Sequence, residues 1–140
     1  MAAPSFTSSS LLVIAGGAFG SWLRFAVSRL WLLALGPVAA SAFPWATLTV
    51  NVVGSLAMGL LAGWLAHHGP PPGGLSPEHW RLTLGVGVLG GFTTFSSFAL
   101  EFGLFVQRNA LPQAALYVGL TLLAGFAALF LGLATMRALA

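Results

Sequence analysis

Charged side chains are so sparse along this chain that they divide it into long apolar runs. Met1–Leu23, Leu30–Pro77, Leu82–Leu100 and Asn109–Met136 carry no Asp, Glu, Lys or Arg. A helix that crosses a membrane needs about 20 mostly apolar residues. Four segments fit, at about 10–33, 45–66, 82–106 and 112–135. Pro37 and Pro44 punctuate a short loop around Gly36–Pro44, and the run from His67 to Gly74 makes the longest loop. Asn109 to Pro112 makes the tightest connection. The pattern predicts an all-α protein with four transmembrane helices in a single domain over 1–140. Nothing basic precedes Leu11, as a secretory signal would require, so the first helix is expected to stay in the mature protein.

Composition turns this pattern into a class. Hydrophobic residues make up 58% of the 140 and charged ones 5%, against roughly 45–50% and 25% in soluble domains. With a mean hydropathy of +0.95, too little polar material remains to coat a globule, and the chain is read as an integral membrane protein. The absence of Cys excludes disulfides and thiolate metal sites. The net charge of +3 comes from scattered arginines, so no basic patch exists for nucleic acid.

Arginines outside the spans set orientation. Arg81 and Arg137 fall on the side of the termini and the long loop. Arg29 and Arg108 fall on the other, with Arg24 nearby. The bias is close to nil, which permits insertion both ways. So few residues enclose a pathway poorly, and dual insertion would allow an antiparallel homodimer.

Polar residues inside hydrocarbon are costly and mark either pathways or helix contacts. Thr47, Asn51 and Ser55 share one helical face of the second span, beside Gly54, Gly59 and Gly63. They read as glue between helices or as the wall of a path, and the Asn51 amide can donate to an anion. Tyr117, Thr121 and Gly125 repeat the spacing on the fourth span. In the first span Gly16 and Gly20 form a close-packing motif in line with Arg24, which either snorkels to the interface or lines a vestibule.

The third span is the odd one. Gly90-Gly91 followed by Thr93-Thr94 weakens a helix at its middle, so a break is expected there, with an intact, closely packed helix as the alternative. Phe95, Phe98, Phe102 and Phe105 then recur along one face, as packing or as ring edges turned to an anion. Glu101 lies within that apolar run and needs a partner or water. His67, His68 and His79 lie in or beside the long loop, without the carboxylate or thiolate partners of a metal site.

Three stretches together resemble the CrcB/Fluc family of fluoride channels along nearly the whole chain. They are Gly16-Gly17-Ala18-Phe19-Gly20-Ser21-Trp22-Leu23-Arg24, Thr47-Leu48-Thr49-Val50-Asn51-Val52-Val53-Gly54, and Gly90-Gly91-Phe92-Thr93-Thr94-Phe95-Ser96-Ser97-Phe98. The resemblance implies a fluoride-selective channel of the cell membrane: an antiparallel, dual-topology homodimer with two pores and a broken third helix. By matching positions, Phe95 and Phe98 would be the pore phenylalanines and Asn51 the pore amide. Tyr117 and Thr121 would belong to a polar track, and Arg24 to the vestibule. Main-chain oxygens of Gly90 and Thr93 would hold a structural, untransported Na⁺ on the dimer axis. Gly125 departs from the family's pattern, standing where that track often has another hydroxyl. Ser96-Ser97 replaces the commoner Ser-Thr.

Two rival classes fit less well. Small multidrug-type exporters are also four-helical, but resemble one another in a membrane-embedded Glu on the first helix, and this chain has none there. A non-transporting assembly protein explains the glycine faces but not the Asn51 strip. No nucleophile–base pair or metal set suggests an enzyme.

Overall fold

The structure, a computed structural model, describes residues 5–67 and 75–140. Four helical spans are long and apolar enough to cross a membrane: Phe6–Ala42, Trp45–His67, Pro77–Gln107 and Leu111–Ala138. Their outer faces are apolar, with Leu33, Leu123 and Phe130 among the large exposed side chains, as a lipid solvent allows. The described residues are helical with short connections, and four spans form the bundle.

The first span runs past the loop expected around Gly36–Pro44. Gly36 takes φ +75°, and helix resumes from Pro37 to Ala42 beyond this kink. Only glycine adopts that backbone readily, and Pro37 is preset for a first helical turn. Trp31 then ties the first span to the second, donating from Nε1 to Thr49 Oγ1 at 3.0 Å and stacking on Trp45. The tight Asn109 connection forms as expected, with Asn109 at φ +55°, a conformation its short polar side chain tolerates.

Small residues decide which spans touch. A Cβ on Gly16 would lie 2.5 Å from the Thr83 carbonyl oxygen, and one on Gly20 would overlap that of Val88. The first span thus packs backbone to backbone on the first half of the third, and the Gly16/Gly20 face is a helix contact. Gly59 meets Leu129, while a Cβ on Gly132 would lie 2.6 Å from the Leu56 oxygen. Ser55 faces Gly125, Gly59 meets Leu129 and Gly63 meets Met136, so residue numbers rise together along this contact and the second and fourth spans run parallel.

The third span departs most from a regular helix. It is wound as a π-helix over Arg81–Leu89, with the Gly90 amide reaching back to the Gly85 oxygen. Gly90–Phe92 remains helical, and Phe95–Gln107 completes the span. The break therefore falls at Thr93-Thr94, not at the glycine pair. Gly91 serves instead for close approach, since a Cβ there would lie 2.5 Å from the Gly17 oxygen.

Candidate functional site

The break is built from side chains that replace lost helical hydrogen bonds. Thr93 and Thr94 are both extended, at φ −80°, ψ 161° and φ −153°, ψ 122°. Thr93 Oγ1 donates back to the Leu89 carbonyl at 2.9 Å, and Thr94 Oγ1 caps the following helix by accepting the Ser97 amide at 3.2 Å. Asn51 of the second span braces the middle. Its Oδ1 accepts the Thr94 amide at 2.9 Å, and its Nδ2 donates to the Thr94 carbonyl at 3.1 Å. Unwound backbone at membrane depth persists only when its polar groups are satisfied this way. Gly54 supplies the room, because a Cβ there would overlap the Thr93 methyl group.

This brace leaves two carbonyls without their helical partners. In an unbroken helix the Thr94 amide would pair with Gly90 O, and the Ser97 amide with Thr93 O. Both amides donate to side-chain oxygens instead. Gly90 lies at the exposed surface of the subunit. Thr93 is half-buried, and two neutral main-chain oxygens freed so close together are the kind of donor a hard cation takes.

A cavity of about 340 Å³ opens beside the break. Asn51, Ser55, Thr93, Phe95, Phe98 and Thr121 all lie on its wall. One Asn51 amide hydrogen is committed to Thr94, and the other is left for the cavity. Thr121 Oγ1 is buried without a hydrogen-bond partner, and such groups are rare because each costs about 1–3 kcal/mol. The cavity thus combines donors awaiting an acceptor with aromatic rings and carries no charged side chain.

The phenylalanine stripe splits in two. Phe95 is 79% exposed and Phe102 41%, whereas Phe105 is buried at 6%. Phe98 and Phe105 pack on Tyr117, with ring centroids at 5.2 and 6.0 Å, while Phe95 stays largely exposed at the cavity wall, its ring centroid 5.9 Å from that of Phe98.

Tyr117 does not line the cavity; it is fully buried behind Phe98. Its hydroxyl donates to Glu101 Oε2 at 2.6 Å, and Thr47 Oγ1 donates to Oε1 at 2.7 Å. These are the partners that Glu101 needed, and only its lone placement in an apolar run signalled them. Glu101 also lines a smaller cavity of about 160 Å³ with Ser41, Phe105 and Arg108, beneath the kinked end of the first span. Arg24 is half-buried on the first span and lines neither cavity. His79 pairs with Ser76 Oγ at 2.6 Å, His67 ends the second span, and His68 lies outside the described residues with the rest of 68–74.

Comparison with known proteins adds a lineage to this geometry. The family model for CrcB-like protein, Camphor Resistance (CrcB), matches residues 11–133. The fluoride-specific ion channel FluC of Novosphingobium aromaticivorans is 53% identical over 132 residues, covering 94% of this chain and 98% of that protein. The protein of the same name from Caulobacter vibrioides is 51% identical over 127 residues, covering 91% and 94%. A third, from Beijerinckia indica, is 45% identical over 130 residues, covering 93% and 97%.

Proposed function

Because the chain belongs to the CrcB-like family, we propose that it is a fluoride-selective channel through which cytoplasmic fluoride leaves passively, relieving its toxicity. It is a multi-pass membrane protein of a channel family and not an enzyme. The observation that carries the fluoride reading is the unpartnered Thr121 hydroxyl, facing one cavity with Asn51, Phe95 and Phe98. Fluoride is small and tightly hydrated, so a selective path must exchange water for closely fitted donors. Amide and hydroxyl hydrogens serve that purpose, and the positive ring edges of Phe95 and Phe98 are weaker partners that let the ion leave. Export needs no pump, since a negative interior drives anions outward by about 2.3 kcal/mol per charge per 100 mV.

The working unit in this reading is an antiparallel, dual-topology homodimer with two pores. Phe95 and Gly90, both exposed on the single subunit, would be covered by the second copy. Arg24 would draw anions into the vestibule, and Tyr117 and Thr121 would continue the polar track. The freed oxygens of Gly90 and Thr93, met by their symmetry mates, would hold a structural Na⁺ that ties the subunits and is not transported. Membership of a family with bacterial relatives supports a place in the bacterial inner membrane.

The test is purified protein in liposomes, read with a fluoride electrode and a chloride control. Fluoride efflux without chloride efflux is expected, with strong loss in Phe95→Ile and Phe98→Ile dimers. No fluoride efflux, or equal chloride efflux, refutes the reading.

A further inference from the structure

The second and fourth spans face one another as a ladder. Thr47 and Tyr117 meet at Glu101, Ser55 faces Gly125, and Gly59 meets Leu129. Asn51 and Thr121, between the first two of these levels, share the cavity wall. Each rung lies four residues from the next, about 6 Å at the helical rise of 1.5 Å per residue. The first two rungs carry polar groups on both helices. At the third, the fourth span contributes only Gly125, and beyond it the wall turns apolar through Met58, Phe126 and Leu129.

From this arrangement we propose that Ser55 is the anion-contacting hydroxyl of the third rung, with Gly125 leaving the space that Ser55 works in. This deepens the fluoride-channel reading and rests on it. A Cβ on Gly125 would lie 3.6 Å from Ser55 Oγ, so the two positions address the same small volume from opposite walls. In the resting arrangement the Ser55 hydroxyl donates to the Asn51 carbonyl at 2.7 Å. That carbonyl also receives the helical amide four residues on, so turning the hydroxyl into the cavity leaves no buried acceptor bare. The proton is therefore available at small cost. Without it, an ion leaving Asn51 and Thr121 in this direction would meet glycine and hydrocarbon.

The experiment measures fluoride efflux from liposomes for wild type, Ser55→Ala and Ser55→Ala/Gly125→Ser, with the dimer content of each verified by cross-linking. Ser55→Ala is expected to lower flux at least tenfold. The double variant, which returns a hydroxyl to the same rung from the facing helix, is expected to recover at least half of the wild-type rate. Should Ser55→Ala fail to assemble, the shape-matched pair Ser55→Thr and Ser55→Val carries the test, the first conducting at least tenfold faster. Flux in Ser55→Ala within twofold of wild type overturns the proposal. So does a loss that Gly125→Ser does not restore in an intact dimer, or equal flux in the Thr and Val variants. A wild-type protein that passes no fluoride would instead sink the channel reading itself.

Discussion

Replacing Asn51 by Ala isolates the contact that satisfies the Thr94 backbone at the break. In the native subunit the Thr94 amide has Asn51 Oδ1 as its acceptor, at 2.9 Å, and the Thr94 carbonyl takes the Asn51 Nδ2 hydrogen at 3.1 Å. Asn51→Ala removes both partners at once. Thr94 is buried, so its amide pays for the loss. An unsatisfied buried donor costs about 1–3 kcal/mol, and interhelical hydrogen bonds in a membrane average about 0.6 kcal/mol. The caps at Leu89 and Ser97 do not involve Asn51 and keep the residues extended. The perturbation therefore weakens the protection of one amide and does not restore a helix.

Amide hydrogen exchange at Thr94, read by NMR in micelles, measures this directly. A loss of 0.6 kcal/mol speeds exchange about threefold, and 3 kcal/mol about 160-fold. The Ala114 amide, bonded to the Ala110 carbonyl at 3.0 Å in the fourth span, serves as the unperturbed reference. Fluoride flux falls as well, because the cavity wall moves with Thr94. Unchanged or slower exchange at Thr94 would refute the reasoning. Slower exchange would mean that the amide had returned to Gly90 O and that the caps at Leu89 and Ser97 do not hold the break without Asn51.

Three further outcomes are expected. A single Cys added at the C-terminus of this Cys-free chain should label from both sides of intact cells, and labelling from one side only would exclude dual topology. Replacing Na⁺ by a larger cation should lower flux or dimer stability without altering anion selectivity; equal flux and stability with the site verified empty would exclude the ion. Gly132→Val should destabilise the subunit by about 1–3 kcal/mol in reversible unfolding, because its Cβ would sit 2.6 Å from the Leu56 oxygen. Gly119→Ala, whose Cβ would meet nothing within 4 Å in the subunit, is the control, and equal effects would refute the packing argument.

Features that depend on local composition were legible in the sequence, and those that depend on distant partners were not. The four spans follow from apolar length, and the Gly16/Gly20 contact follows from spacing. The break was visible as a weakness, but its place was not. Gly90-Gly91 is the more flexible pair, yet Asn51, 43 residues away, grips Thr94. Glu101 announced a need without naming Thr47, 54 residues distant, or Tyr117. The phenylalanine stripe misled because helical spacing fixes a face to within a turn. It does not say that the subunit's edge divides that face between Phe95 and Phe105. Extension of the first span past Gly36 was hidden because a glycine–proline pair signals a turn and a restart equally well.

The Asn51 brace also orders the events of biogenesis. A segment entering lipid alone must satisfy its own amides and carbonyls, and each one left bare costs several kcal/mol. Thr94 has its partners on a different span, so an isolated third span that keeps its break would leave the Thr94 amide and carbonyl bare in lipid. Both are satisfied only where the second span lies alongside and Asn51 faces Thr94. The site is then a product of late assembly inside the membrane, absent from a chain still leaving the insertion machinery. A subunit whose second and third spans have not yet met lacks one wall of the cavity, because Asn51, Gly54, Ser55 and Met58 all come from the second span.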